Sequence, residues 1–484
     1  MMRRAILATA FWAALAIAPA TATETAIVTH HQIALAGRLL KYTAEVGRVP
    51  IRDAGTGEVH GDMFYTAYRV ASKVPRPLTF VWNGGPGAAS ILLHFEAAGP
   101  RRLEAGRLVD NEDTWLTGTD LVFVDPIGTG FSRPAKAQYA DEFYGTVGDV
   151  ASVTEFVRAW RRLRGETDAP VFLAGESWGA GRAANVGYAL LKRGVPVAGT
   201  VLISGGSGLS AEFTTQGDLG ALRMANLAAT ALFHGKLDPT IGAQPDPARA
   251  AAEVWVRETY IPALRRLSSL NDAERDAIAA GLARITGLPA DQIDRKSLAV
   301  TPRQFRTTLL PGKALDTFDM RLTSPADGRS ATVLLRYFAE DLGYRTDLPY
   351  IGLEDLDQGY LPDGKVPQSV NTRWNYASGP VTPDEIRVAI AEAQRTGAGP
   401  PQLGPPLPGT AEAVALNPKL KVLVATGLYD SLGNCAADTE RARGLAPALK
   451  AAMSFRCYVG GHMMYRDPAS RTALTRDVRA LVAQ

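Results

Sequence analysis

Short apolar runs recur along the chain, and glycine or polar residues follow each of them. The runs are Leu78–Trp82, Leu121–Val124, Val171–Ala174, Thr200–Ser204 and Leu420–Ala425. A continuous apolar run of this length is typical of a strand that is buried on both faces, as the strands of a parallel sheet are. Helical patterns separate several runs, as in the segment 149–164 before the third one. The pattern therefore predicts an α/β fold, with a mostly parallel central sheet and helices on both faces.

Two other patterns flank and interrupt this series. Ala26–Thr29, Leu39–Thr43 and Met63–Val70 have the alternation and aromatic content of antiparallel strands. Between residues 206 and 375, helical patterns such as 247–267 and the capped segment 271–286 replace the strands. Because the sheet needs strands from both sides of this stretch, we predict a mainly helical cap inserted into one core. The predicted parts are a signal peptide (1–22), the first part of the core (23–205), the cap (206–375) and the second part of the core (376–484).

The first residues have the pattern of a secretory signal peptide. Arg3 and Arg4 precede the apolar stretch Ala5–Ala18, and small residues permit cleavage after Ala20 or Ala22. An uncleaved anchor is the alternative, although the stretch is too short to cross a bilayer. No later segment reaches the roughly 18 uninterrupted apolar residues that a membrane span needs. We therefore expect a periplasmic or secreted protein with no stable membrane insertion once the signal is removed.

Composition and charge narrow the possible partners. Hydrophobic residues make up 46% of the chain and charged residues 21%, which is typical of a globular protein. The net charge is +3 and the basic residues are scattered, so nucleic acid is not an expected partner. No H-E-x-x-H or comparable cluster occurs, so neither a metal nor another cofactor is expected. These features do not predict the oligomeric state.

The third apolar run leads into the pentapeptide G-E-S-W-G at residues 175–179. A G-x-S-x-G sequence between a buried strand and a helix of small residues is the pattern of a nucleophile elbow, a sharp turn that presents the Oγ of Ser177. The helix is predicted to begin near Ala180, and its N-terminus favours negative charge that develops at the serine. Taken alone, the motif also fits a glycine-rich turn with no catalytic role.

An elbow serine needs a histidine as base and an acid that orients this histidine. In the α/β-hydrolase arrangement the acid follows the serine along the chain, and the histidine follows the acid. Of the six histidines only His462 lies late enough, in a loop after the apolar strand 455–459. Asp430 follows the run Leu420–Ala425. Because ligands of open α/β sheets bind at the carboxyl ends of the strands, we predict that Ser177, Asp430 and His462 meet there as a catalytic triad.

The same chemistry requires two backbone donors for an oxyanion. One is predicted to be the N–H of Trp178, next to the nucleophile. The other is predicted to come from the loop 83–87, N-G-G-P-G, whose glycines allow close backbone approach. A plain turn is the alternative interpretation of that loop.

Together these segments resemble the serine carboxypeptidases, peptidase family S10. The resemblance spans about residues 78–468 and rests on four segments: W-N-G-G-P-G at 82–87, G-E-S-W-G at 175–179, the segment of Asp430, and G-G-H-M at 460–463. D-P-I-G-T-G-F-S at 125–132 is similar to another stretch of that family. The resemblance implies an α/β-hydrolase fold with a cap in the inserted stretch, and an exported bacterial member of the family.

The resemblance also implies roles for further residues. Gly85 joins Trp178 as a donor to the oxyanion through its backbone N–H. Asn83 and Glu176 are expected to bind the C-terminal carboxylate of the substrate, which requires a protonated Glu176 and implies a preference for acidic pH. By the same resemblance, Met463 is expected to line the pocket for the departing amino acid.

Several positions depart from the family pattern. The family usually continues G-P-G with Cys-Ser-Ser, where this chain has A-A-S at 88–90. A second acidic residue commonly pairs with the glutamate, but Ala97 holds that place and Glu96 lies one residue before it. Trp178 replaces a usual tyrosine, and Tyr465 replaces a usual proline. The pattern thus predicts no acidic partner for Glu176.

The two cysteines lie near the predicted acid and base. Cys435 is five residues after Asp430, and Cys457 is five before His462. In an oxidising compartment an even pair predicts one disulfide, which would join the two segments. Two separate buried thiols are the alternative.

The predicted triad and the resemblance together imply a serine-type carboxypeptidase that releases C-terminal amino acids from peptides with a free C-terminus through an acyl-enzyme. An acyltransferase or esterase on the same scaffold is one alternative, because an alcohol can intercept an acyl-enzyme. A secreted binding protein with an inactive site is another. The side-chain preference of the substrate is not predicted.

Overall fold

The computed structural model describes residues 26–209, 216–324, 331–351, 370–396 and 403–484. The predicted signal peptide, 1–22, lies outside them. The strands are β1 (Ile27–Leu35), β2 (Arg38–Arg52), β3 (Val59–Arg69), β4 (Leu78–Trp82), β5 (Arg101–Glu104), β6 (Arg107–Asp110), β7 (Asp120–Val124), β8 (Arg133–Pro134), β9 (Val171–Glu176), β10 (Val197–Ile203), β11 (Lys421–Gly427) and β12 (Met453–Tyr458).

α-Helices account for much of the remaining described chain. They are α1 (Ala140–Phe143), α2 (Thr146–Arg164), α3 (Trp178–Lys192), α4 (Gln216–Ala221), α5 (Arg223–Phe233), α6 (Pro245–Trp255), α7 (Ile261–Arg265), α8 (Asp272–Thr286), α9 (Pro302–Thr308), α10 (Ala331–Arg336), α11 (Pro383–Thr396), α12 (Thr410–Leu416), α13 (Cys435–Gly444), α14 (Pro447–Ala452) and α15 (Pro468–Val482). Short 3₁₀ and π turns connect several of them.

The central sheet has the order β1-β2-β3-β7-β4-β9-β10-β11-β12, with β8 paired to β3. The pairs from β1 to β7 are antiparallel, and those from β7 to β12 are parallel. The alternating segments near the N-terminus form β1, β2 and β3, and the apolar runs form the parallel strands. The predicted mostly parallel sheet is therefore confirmed.

Helices cover both faces of this sheet. Phe80 of β4 packs on one face in a cluster with Trp160 of α2 and Ala183 of α3. Its neighbour Val81 packs on the other face in a cluster with Val478 of α15. Successive residues of a strand point to opposite faces, so a strand with both faces covered is buried throughout and mostly apolar. This explains why β4, β7 and β9 are buried at every position.

The described residues of the predicted cap divide between two cores. Most buried apolar residues between 219 and 320 form a cluster of their own, which also includes Ala436 and Ala437 of α13. By contrast, Tyr337, Phe338 and Tyr350 pack into the cluster on one face of the sheet. One part of the insertion is therefore a helical layer with its own core, and another part is bound to the sheet core. The predicted boundary at residue 375 stays a prediction.

Two helical segments of the insertion illustrate what a sequence pattern predicts well and what it does not. The capped segment is α8, and Asn271 and Glu274 exchange side-chain and backbone hydrogen bonds of 2.9 Å, as the pattern predicts. The segment 247–267 is also helical, from Pro245 to Arg265, but a π-helical turn at Val256–Tyr260, which the pattern did not predict, separates α6 from α7. Pro262 lacks the N–H that a continuous α-helix would require there.

Across the described part of the chain, no helix combines the length and apolarity needed to cross a membrane.

Candidate active site

Ser177 occupies a sharp turn between β9 and α3. Its backbone has φ 57° and ψ −128°, which a residue with a side chain adopts only at a cost of about 1–3 kcal/mol. A Cβ on Gly175 would lie 1.8 Å from the Gly179 oxygen, and one on Gly205 would lie 2.0 Å from the Ser177 oxygen. The turn is thus too crowded for side chains at its glycines. Helix α3 begins at Trp178 rather than near Ala180, so its N-terminus directly follows the serine.

His462 and Asp430 form a buried hydrogen-bonded pair. Nδ1 of His462 lies 2.8 Å from Oδ2 of Asp430, and the other oxygen of Asp430 accepts the N–H of Leu432 at 2.9 Å. Because a carboxylate only accepts, Nδ1 of the imidazole must carry the proton, and Nε2 is then free to act as a base. Among the described residues, Nε2 is buried without a hydrogen-bond partner. Burial acts to lower the pKa of His462, but Asp430, with a contribution from Glu176, raises this pKa above its usual value.

The end of β10 links the segment of Ser177 to that of His462. The N–H of Ser177 donates to the oxygen of Ile203 at 2.8 Å. The hydroxyl of the next residue, Ser204, donates to the oxygen of His462 at 2.6 Å. From the insertion, the oxygen of Phe318 accepts the N–H of His462 at 2.6 Å. These bonds bring the predicted nucleophile and base to one edge of the sheet, and the contact from Phe318 had no signal in the sequence.

The glycine-rich loop 83–87 lies against the N-terminus of α3. A Cβ on Gly84 would be 2.5 Å from the backbone nitrogen of Trp178, so only glycine permits this approach. The N–H of Ala88 donates to the oxygen of Gly84 at 2.9 Å and closes the loop into a turn. Gly85 is exposed and has φ 102°. The backbone segments of the two predicted oxyanion donors, Gly85 and Trp178, are therefore adjacent.

Glu176 is buried directly beside the serine and has two hydrogen-bond partners. Nδ2 of Asn83 donates to Oε1 of Glu176 at 3.1 Å, and the hydroxyl of Tyr465 donates to Oε2. The amide of Asn83 is oriented by Leu93, whose N–H donates to Oδ1 at 3.1 Å. Burial raises the pKa of Glu176 to about 7, against the lowering effects of His462, Tyr465 and Asn83. A carboxyl group with this pKa is neutral in acidic solution and charged in alkaline solution.

The second hydrogen-bond partner of Glu176 is Tyr465, which is not an acidic residue. The sequence did not predict this contact. Ala97 is buried and carries no polar side chain, and Glu96 forms an ion pair with Arg466, 2.7 Å from Oε2 to Nε. The charge of Glu96 contributes to raising the pKa of Glu176. Tyr465 was recognisable only as a departure from a family pattern three residues after His462.

Trp178 and Met463 border this region. The ring of Trp178 meets those of Trp374 and Tyr376 edge to face, with centroids 6.1 and 5.5 Å apart. Met463 is half-buried and packs against the cluster on one face of the sheet. No group of three or more His, Cys, Asp or Glu side chains among the described residues is arranged to hold a metal ion.

Cys435 and Cys457 are joined by a disulfide in the structure. Cys435 is the first residue of α13, after the segment of Asp430, and Cys457 lies in β12, before the segment of His462. The bond therefore connects the two chain segments that carry the buried pair.

Replacing both cysteines by serine is expected to lower the free energy of unfolding by about 3 kcal/mol, because the disulfide closes a loop with a sequence separation of 22. Urea denaturation of the double variant and of the parent protein measures this difference. Mass measurement after alkylation, with and without reductant, is the direct check on the bond. Two thiols that are alkylated without reductant would contradict it.

The sheet order, with helices on both faces and the serine in a strand-to-helix turn, defines an α/β-hydrolase fold. Residues 53–193 match the model of the serine carboxypeptidase family, peptidase family S10. The matched range includes the loop 83–87 and the elbow, and it ends before the segments of Asp430 and His462. The chain is therefore similar to this family over the part that carries the loop and the elbow.

Curated relatives are similar over part of the chain. The chain is 31% identical over 142 residues to the pheromone-processing carboxypeptidase KEX1 of Debaryomyces hansenii, a match that covers 27% of this chain and 20% of that protein. It is 32% identical over 152 residues to serine carboxypeptidase-like 50 of Arabidopsis thaliana, over 30% of this chain and 33% of that protein. These matches thus span a third or less of each relative.

Solved structures give a low overall similarity. VinJ is 12% identical, with a TM-score of 0.34 over 90% of this chain and 98% of its own. A lipase in an open form is also 12% identical, with a TM-score of 0.36 over the same shares.

Proposed function

We propose that this chain is a serine-type carboxypeptidase. The observation that carries the proposal is the buried carboxyl group of Glu176, which lies one residue before Ser177 and is held by Asn83 and Tyr465. The chemistry of the triad and of the oxyanion donors assigns no role to a carboxyl group at this position. A neutral carboxyl group can donate a hydrogen bond to a carboxylate, and a peptide with a free C-terminus presents a carboxylate directly beside its last peptide bond.

In the proposed reaction, Oγ of Ser177 attacks the carbonyl carbon of the last peptide bond while Nε2 of His462 takes the hydroxyl proton. Asp430 holds the imidazole through Nδ1 and stabilises its charged form. The N–H groups of Gly85 and Trp178 bind the oxyanion. His462 then gives its proton to the departing amino acid, and water hydrolyses the acyl-enzyme by the reverse sequence.

The same proposal assigns the substrate's C-terminal carboxylate to Asn83 and Glu176. The amide of Asn83 has a second N–H besides the one donated to Glu176, and neutral Glu176 has its O–H. Two donors can then bind the two oxygens of the carboxylate. Met463 is proposed to line the pocket for the departing residue.

The remaining proposals concern organisation and location. The core is proposed to consist of 23–205 and 376–484, with the cap at 206–375. Export into the periplasm or the medium rests on the signal-peptide pattern of residues 1–22, and the disulfide supports an oxidising compartment. Peptides with a free C-terminus are the proposed substrates.

The test compares one peptide in three forms: with a free C-terminus, as its C-terminal amide, and as a matched ester. Mass spectrometry is expected to detect stepwise loss of C-terminal residues from the free acid at acidic pH, and slow or no change of the amide. Rapid hydrolysis of the ester alone would overturn the carboxypeptidase assignment in favour of an esterase. Transfer of the acyl group to an added alcohol, in preference to water, would indicate an acyltransferase.

A further inference from the structure

Arg182 is a fully buried cation on α3, and the proposed reaction does not use it directly. Its side chain has 0% exposure, and its Nε lies 2.6 Å from Oδ2 of Asp149, which is on α2 and is also buried. A buried arginine requires both a counter-charge and acceptors for its remaining N–H groups. Asp149 supplies the counter-charge, so the remaining acceptors reveal what this side chain holds in place.

Those acceptors are backbone oxygens of the glycine-rich loop. Nη1 of Arg182 donates to the oxygen of Asn83 at 2.8 Å, and Nη2 donates to the oxygen of Pro86 at 3.4 Å. These two carbonyls lie on either side of the Gly84–Gly85 peptide, whose N–H belongs to the proposed oxyanion donor Gly85. Arg182 therefore fixes the loop on both sides of that donor.

Arg182 also connects the loop to the helix that carries the nucleophile at its start. Arg182 is on the helix that begins directly after Ser177, and its planar fork bonds to α2 and to the loop at once. Trp82 adds a parallel link, because its Nε1 donates to the oxygen of Gly179 at 2.9 Å. A lysine presents its three N–H donors from a single nitrogen, so it could not reach the three acceptors that the separate nitrogens of Arg182 contact.

We propose that Arg182, held by Asp149, is a positioning residue that sets the distance between the Gly85 N–H and the oxyanion formed at Ser177. This inference rests on the proposed acyl-enzyme chemistry, although not on the nature of the leaving group. Because an oxyanion donor acts in the transition state, its displacement lowers kcat and leaves KM nearly unchanged.

The test uses the double variant Asp149→Asn/Arg182→Met, which removes the contact to the loop without leaving an unpaired buried charge. With an ester substrate, kcat is expected to fall roughly 10- to 100-fold while KM stays within about threefold, as expected for a misplaced oxyanion donor. The rate of labelling by a fluorophosphonate should fall by a similar factor. The kcat of Arg182→Lys should also fall, and this variant tests the proposal if the double variant does not fold.

Arg161→Met is the matched control. Arg161 is also a buried arginine that donates to two backbone oxygens, but these belong to Glu166 and Thr167, away from the loop. The Arg161→Met variant should be less stable than the parent protein and retain its kcat. An unchanged kcat in the folded Arg182 variants, or an equal loss in Arg161→Met, would overturn the proposal. If the wild-type protein hydrolyses the ester but not the peptide, the carboxypeptidase proposal fails while this one is still tested.

Discussion

Ser177→Ala is expected to reduce the release of C-terminal amino acids by at least roughly 10⁴-fold, with the fold retained. The hydroxyl is the proposed nucleophile, and no other group is proposed to form the acyl-enzyme. Alanine carries a Cβ as serine does, so the substitution does not change the strain of the positive φ at position 177. The variant should therefore fold. The measurement is the peptide digest followed by mass spectrometry, with circular dichroism to verify the fold.

Two controls make this result specific. Ser454→Ala removes another half-buried serine hydroxyl, which donates to the oxygen of Val422 at 3.3 Å in the sheet, and it should retain full activity. The double variant Ser177→Ala/His462→Ala should be no less active than Ser177→Ala, because members of a triad act as a unit. Release that persists in Ser177→Ala, or a further large loss in the double variant, would refute the assigned roles.

The strands of the sheet were predictable because burial on both faces leaves a direct trace in the sequence. β4 and β9 are apolar at almost every position, and the chain turns at glycines just beyond them. The capped start of α8 was predictable for a similar reason, since a capping box is made within four consecutive residues. Structural features that depend on consecutive residues can be predicted from the sequence.

The contacts that complete the site were not predictable, because they join distant parts of the chain. Tyr465 bonds to Glu176 across 289 residues, and Arg182 bonds to the loop across 99. Glu96 lies one residue before the position of the family's acidic partner, and it forms an ion pair with Arg466 rather than a contact with Glu176. The sequence did hold one unused signal: Arg182 is a lone arginine in a helix of small residues beside the elbow, where a charge needs a buried partner.

The ratio of peptide to ester hydrolysis is expected to fall about tenfold for each pH unit above about 7, because the pKa of Glu176 is raised to about 7. Both substrates require a neutral His462, so its ionisation cancels in the ratio of kcat/KM values. Only the free-acid peptide needs a protonated Glu176, and an ionised Glu176 repels its carboxylate. Between about pH 5 and 6 the ratio should be nearly constant, because Glu176 is then mostly neutral while the carboxylate of the peptide stays ionised. A wild-type ratio that is independent of pH would contradict the role of Glu176.

Two variants should change this profile in different ways. Glu176→Gln keeps the shape and cannot ionise, so the ratio should become independent of pH. Losing the nearby negative charge should also lower the pKa of His462, because Glu176 contributes to raising it. Tyr465→Phe should move the midpoint of the ratio to higher pH, since the hydroxyl of Tyr465 favours the ionised form of Glu176 and thus lowers its pKa. A midpoint that moves to lower pH in Tyr465→Phe would show that the hydroxyl stabilises the neutral form instead.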